Sequence, residues 1–164
     1  MSAEGKKHGG GGVVALLVLA GLFCPTSENL RFHVHRFFGL YAEPSRTIIE
    51  SEVDRAADAY GVSRRVLRAL VKVESNYRPD AVSPVGARGV AQIMPFNARR
   101  CGLAHDKKLW DAVHNVRCGA QILAEELDQH GDLKKALTVY NCGRVKCAEG
   151  ERYASKVIAL SRVM

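Results

Sequence analysis

From residue 44 onward, apolar side chains recur every three to four positions, the repeat of amphipathic helices, and no segment alternates as a strand does. Pro44-Ser45 opens a helix running to Tyr60, with Gly61 as its stop. Ser63 is a good N-cap for a second helix. Asn115 reads as the cap of a third, which carries Val116, Gly119, Ala120, Leu123 and Leu127 on one face and ends at Gly131. Asp132 caps a fourth, Leu133 to Tyr140, and a last helix runs from about Glu149 to Arg162. The pattern predicts an all-α domain.

The second helix holds an anomaly. Leu67, Leu70, Val71 and Glu74 fall on one face, so a carboxyl continues the apolar stripe. Burial disfavours the charged form of a carboxyl and keeps it protonated near neutral pH. A protonated carboxyl is what a glycosidic bond needs to break, because the leaving oxygen must gain a proton. The plain alternative is a helix-end carboxylate paired with Lys72 or Arg78 on the surface. Asp80 and Asp111 are the candidates for a second carboxylate, Asp111 reading as a turn residue.

Three segments follow one another at suggestive spacings: Glu74-Ser75; then Ser83-Pro84-Val85-Gly86-Ala87-Arg88-Gly89 leading into Val90-Ala91-Gln92-Ile93-Met94-Pro95; then Tyr140-Asn141-Cys142-Gly143. Together they resemble the catalytic domain of the lytic transglycosylases, lysozyme-like enzymes that cut the glycan strands of bacterial peptidoglycan. The resemblance covers roughly residues 47 to 155 and implies a lysozyme-like domain of about six helices with a substrate cleft.

The resemblance implies that Glu74 serves twice. It protonates the glycosidic oxygen of a MurNAc-GlcNAc bond while the substrate's N-acetyl group supports the cation. It then acts as base on the C6 hydroxyl, closing a 1,6-anhydro ring. Ser75 would contact substrate or the acid. Gln92 would bind an amide or a sugar hydroxyl, and Met94 would line an apolar subsite for an acetyl methyl. Tyr140 and Asn141 match the family's Tyr-Asn pair, and Tyr153 matches a later tyrosine near the acid. No cofactor and no metal are implied. Gly86 and Gly89 would let the backbone approach a ligand. The chain departs from the family at Val90-Ala91, where Leu-Met is usual, and at Cys142, where Ala is common. The small residues at 90 and 91 are expected to reshape a subsite.

Two other functions compete. A goose-type lysozyme-like hydrolase on the same fold would deliver water instead of the C6 hydroxyl. A non-catalytic wall-binding module would keep the cleft and lose the acid, so the retained Glu74 argues against it. The expected partners of a monomer are peptidoglycan strands, with a secretion or conjugation apparatus, or a phage, as the biological setting.

Charge and cysteines refine this reading. The chain of 164 residues carries a net charge of +7, which favours anionic partners such as wall polymers. Its Lys and Arg residues are scattered and no nucleic-acid motif appears, so no nucleic acid is expected. Residues 1–24 read as a signal peptide or short anchor, since Lys6, Lys7 and His8 precede the apolar run Val13 to Phe23. That run is about half of the ~20 residues a membrane span needs, which favours export. Cys24 invites a lipoprotein reading, against which Phe23 stands where a small residue is expected. Residues 25–44 read as a linker or arm, in which His33 and His35 lack a further metal ligand. Residues 45–164 form the domain, placed in the periplasm or cell envelope. Cys101, Cys118, Cys142 and Cys147 allow three pairings. Cys101–Cys118 with Cys142–Cys147 is favoured, the second closing a short Gly-containing loop; zinc is the competing idea, against which no Cys-x2-Cys spacing appears.

Overall fold

A computed structural model describes residues 44–164. The targeting segment and the N-terminal arm expected before residue 44 lie outside the described residues.

Five α-helices make up the domain: α1 (Arg46–Ala59), α2 (Arg64–Glu74), α3 (Ala112–His130), α4 (Leu133–Cys142) and α5 (Ala148–Ser161). Short 3-10 turns at Pro95–Asn97 and Asp106–Trp110 lie in the long connection between α2 and α3. Among the described residues, extended pairing is limited to the isolated bridges Val82–Arg88 and Arg88–Ile93. The fold is all-α, with five helices where about six were expected.

Each helix starts and stops for a local reason. Ser45 caps α1 by accepting from the Ile48 amide. Asp132 caps α4 through the Lys135 amide, and Gly131 and Gly143 end α3 and α4 in the left-handed conformation that glycine adopts without steric cost. The third helix begins one turn earlier than the sequence suggests. Asp111, not Asn115, is its cap, accepting from the His114 amide at 2.9 Å. Both residues are capping types, and the fold frees Asn115 for another task by burying it completely.

α3 is the longest helix. It packs on α1 and α4, while α5 packs on α4 and on α2. Leu67, Leu70, Val71, Val116, Leu123, Leu137 and Val157 form the fully buried core. Glu52 is buried on α1 and is held by Arg117 of α3 at 2.7 Å and by Arg55. A buried carboxylate needs such partners, because desolvation alone would neutralise it. Cys101 is joined to Cys118, pinning the α2–α3 connection to α3, and Cys142 to Cys147, tying the end of α4 to the start of α5.

Candidate active site

Glu74 is the last residue of α2. Across from it, α5 presents Tyr153, whose hydroxyl donates to Glu74 Oε1 at 2.6 Å. Burial pushes the Glu74 carboxyl up to about 7; the Tyr153 hydrogen bond and the Lys156 ammonium pull the other way and do not prevail. No surface ion pair with Lys72 or Arg78 forms; the Arg78 guanidinium instead donates to the Ser75 carbonyl. The Tyr140 and Tyr153 phenols are pushed well above their usual range, first by burial and then by the charge of Glu74, so both remain proton donors. Glu74, Tyr140 and Tyr153, from three different helices, are therefore brought into one electrostatic neighbourhood.

Beside this group lies a tight loop, Gly89 to Gln92, closed by reciprocal backbone bonds between Arg88 and Ile93. Three side chains from three helices hold it. Ser75, after α2, donates to the Val90 carbonyl at 2.7 Å. Asn115 of α3 accepts from the Ala91 amide at 2.7 Å and donates to the Arg88 and Leu109 carbonyls. Tyr140 of α4 donates to the Ala91 carbonyl at 2.9 Å. Gly119 gives the loop its room, because a Cβ there would stand 2.7 Å from the Ala91 methyl and 3.0 Å from the Tyr140 oxygen.

The family model for the transglycosylase SLT domain matches residues 51–159. The chain belongs to that family. Among its relatives, the transglycosylase of Enterobacteria phage PRD1 is 32% identical over 109 residues, covering 65% of this chain and 40% of that protein. Membrane-bound lytic murein transglycosylase F 1 of Alkalilimnicola ehrlichii is 32% identical over 108 residues, 62% of this chain and 21% of the relative. An inactive mutant of the lytic transglycosylase Slt from Pseudomonas aeruginosa superposes with a TM-score of 0.62 at 25% identity, over 69% of this chain and 23% of that one. The 70 kDa soluble lytic transglycosylase of Escherichia coli, at 22% identity, has the same fold with a TM-score of 0.62. The chain thus spans well under half the length of these relatives.

The SLT fold assigns several residues different tasks from those the sequence suggests. Ser75, expected to touch substrate or the acid, is buried, and its hydroxyl both donates to Val90 and accepts from the Arg78 amide. It fastens the loop. Gln92 has a positive φ of 51° and spends its amide donors on the Ala81 and Gly89 carbonyls, which leaves only its oxygen for another partner. Val90 and Ala91, expected to reshape a subsite, are fully buried within the loop. Gly89 admits the Asn115 side chain, not a ligand, since a Cβ there would lie 2.4 Å from Asn115 Nδ2. Met94 is half-buried outside the hydrophobic core, and Asn141 is exposed on the last turn of α4. Asp111 is committed to capping α3 and to the His114 ring, away from the acid. No local signal marks Asn115 as the loop's anchor, because an Asn ahead of an apolar stripe looks like a cap. Among the described residues no group of His, Cys, Asp and Glu is arranged to hold a metal.

Proposed function

We propose that this chain is a peptidoglycan lytic transglycosylase that cleaves the MurNAc-GlcNAc β-1,4 bond and leaves 1,6-anhydro-MurNAc, with Glu74 as acid and then base. The observation that carries the reading is the Glu74 carboxyl, its pKa pushed up to about 7 by burial and its Oε1 held by Tyr153 at 2.6 Å. With Oε1 accepting from Tyr153, the acid's proton rests on Oε2 and is free to pass to the glycosidic oxygen. That transfer ionises Glu74 in place, and the same oxygen then takes the proton of the C6 hydroxyl as it attacks C1. Hydrogen-bonded geometry at Oε1 is unchanged through both steps, so little reorganisation is needed.

Glu74 is the single carboxylate of this reading, with the Lys156 ammonium favouring its ionised form. Gln92 through its oxygen, Met94 and Asn141 are the proposed glycan contacts, and Tyr140 positions the loop that carries Gln92. Placement in the cell envelope is supported by relatives described as membrane-bound lytic murein transglycosylases. No helix among the described residues is long and apolar enough to cross a membrane.

Digestion of purified peptidoglycan by the full chain, with released muropeptides weighed, tests the reading. Anhydro products from the wild type and none from Glu74→Gln are expected. Reducing-end products would make the chain a lysozyme-type hydrolase, and products from Glu74→Gln at the wild-type rate would remove Glu74 from the mechanism.

A further inference from the structure

Glu74 is held by α5, and α5 is held to α4 by a covalent bond. Cys142 ends α4 and Cys147 caps α5, its sulfur accepting from the Gly150 amide at 3.4 Å, and the two cysteines are joined. Each flanks a phenol of the site. Tyr140, two residues before Cys142, donates to the Ala91 carbonyl at 2.9 Å. Tyr153, six residues after Cys147 and so about 9 Å further along α5, donates to Glu74 at 2.6 Å. The Ala91 loop, Tyr140, the crosslink, Tyr153 and Glu74 therefore follow one another as a continuous line of contacts.

The connection between the two helices has little else to fix it. Residues 143–146 are exposed, and among the described residues Arg144, Val145 and Lys146 make no hydrogen bond or ion pair. The Gly143 amide turns back to the Val139 carbonyl of its own helix. Just inside α5, Gly150 is buried against α4, where a Cβ would stand 2.8 Å from the Thr138 carbonyl oxygen and 2.9 Å from Cys142 Sγ. The helices thus approach closely one turn before Tyr153, with the disulfide at the point of approach. Chain entropy gives so short a closed loop a modest share of stability. Placement of an acid is far less forgiving, because a misplacement of about 1 Å costs orders of magnitude in rate.

We propose that the Cys142–Cys147 disulfide is a positioning crosslink of the active site, setting the Tyr153 hydroxyl on Glu74 through the first turns of α5; this rests on the reading of Glu74 as the acid. The crosslink is also within reach of solvent. Cys142 and Cys147 are half-buried beside the exposed loop that carries Arg144 and Lys146, whereas Cys118 of the other disulfide is 2% exposed. Cations beside a disulfide favour the thiolate that leaves when it is opened. A soluble dithiol reductant therefore opens this one first. The two thiols of the reductant give up two electrons and two protons and become a disulfide, and Cys142 and Cys147 become two thiols.

The test uses the full chain carrying Cys142→Ala and Cys147→Ser together. Ala keeps a small side chain against Gly150, and Ser keeps a capping oxygen for α5. On solubilised glycan strands, kcat is expected to fall about tenfold with KM within about twofold of wild type. Adding Tyr153→Phe to this variant should cost less than about twofold more, although it costs the crosslinked chain about tenfold, because both changes remove the same placement. A dithiol reductant should lower the wild-type kcat to that of the variant, reoxidation should restore it, and the variant should not respond. Unchanged kcat in the variant, losses that multiply with Tyr153→Phe, or a reductant effect that persists in the variant would each overturn the proposal. Melting of the variant below the assay temperature would do the same, making the crosslink structural. If the wild type cuts no glycan, the proposed function fails by itself. The crosslink is then judged by amide hydrogen exchange over residues 151–156, which should quicken on reduction; unchanged exchange would overturn its positioning role.

Discussion

The Tyr153 hydroxyl and the Glu74 carboxylate lie 2.6 Å apart although 79 residues separate them along the chain. The contact closes the site, because α5 reaches α2 only after α3 and α4 have been laid between them. It also works against the burial that raises Glu74, so the acid's proton affinity is a balance of two opposed effects.

That balance sets a pH dependence. The acid must be protonated to act, so kcat/KM should be flat below, and fall above, about pH 7. A hydrolase with an ionised partner carboxylate would add a second limb at low pH. A pH profile on solubilised glycan strands checks this. Tyr153→Phe removes a hydrogen bond that favours the ionised form, so the falling limb should move to higher pH while kcat drops about tenfold.

Stability should carry the mirror image of the same shift. Glu74 holds its proton to about 7 in the folded state and to about 4.5 in the unfolded chain, so the folded state binds more protons in between. Stability contributed by the protonated acid is then full below about pH 4.5 and is lost as pH rises through about 7, by on the order of 3 kcal/mol at most. Glu74→Gln lacks this loss. Its melting temperature should gain on the wild type between pH 4.5 and pH 7.5, as thermal melts across that range will show.

Asn115 should matter more to stability than any surface residue of the site. Asn115→Ala strands the Ala91 amide and the Leu109 carbonyl in a buried setting, while the Arg88 carbonyl keeps the Ile93 amide. A cost of roughly 3 kcal/mol or more is expected, measured by urea unfolding, with cleavage falling in parallel because the Gln92 loop loses its anchor.

Gly119→Ala tests the packing beneath that loop. The added methyl would press on Ala91 and the Tyr140 hydroxyl, both of which already close the site. Overpacking of this kind costs about 1–3 kcal/mol. Activity should fall further than the stability change alone accounts for, read as a lower kcat at temperatures where the variant is fully folded.

Removing Cys101–Cys118 by a double Cys→Ala change should destabilise the domain by about 3 kcal/mol on a chain-entropy view. The shorter Cys142–Cys147 loop should contribute less, since fewer residues are closed. Thermal melts of the two double variants will rank them.

The helices were legible because each repeats its apolar residues at helical spacing and all but α5 are bounded by Ser, Asp or Gly. The burial of Glu74 was legible because the residue continues the apolar stripe of α2. What the sequence alone could not decide was the division of labour among its polar residues. Asn115 and Asp111 are both capping types, and only packing shows which one caps and which one is buried under the loop. Ser75 and Gln92 both offer hydrogen-bonding groups, and only the folded chain shows that the Val90, Ala81 and Gly89 carbonyls consume their donors. Periodicity and caps are local properties of a chain, written within a few residues. Hydrogen-bond partners in a site assembled from four helices are decided by which groups burial brings together, and no stretch of sequence records that.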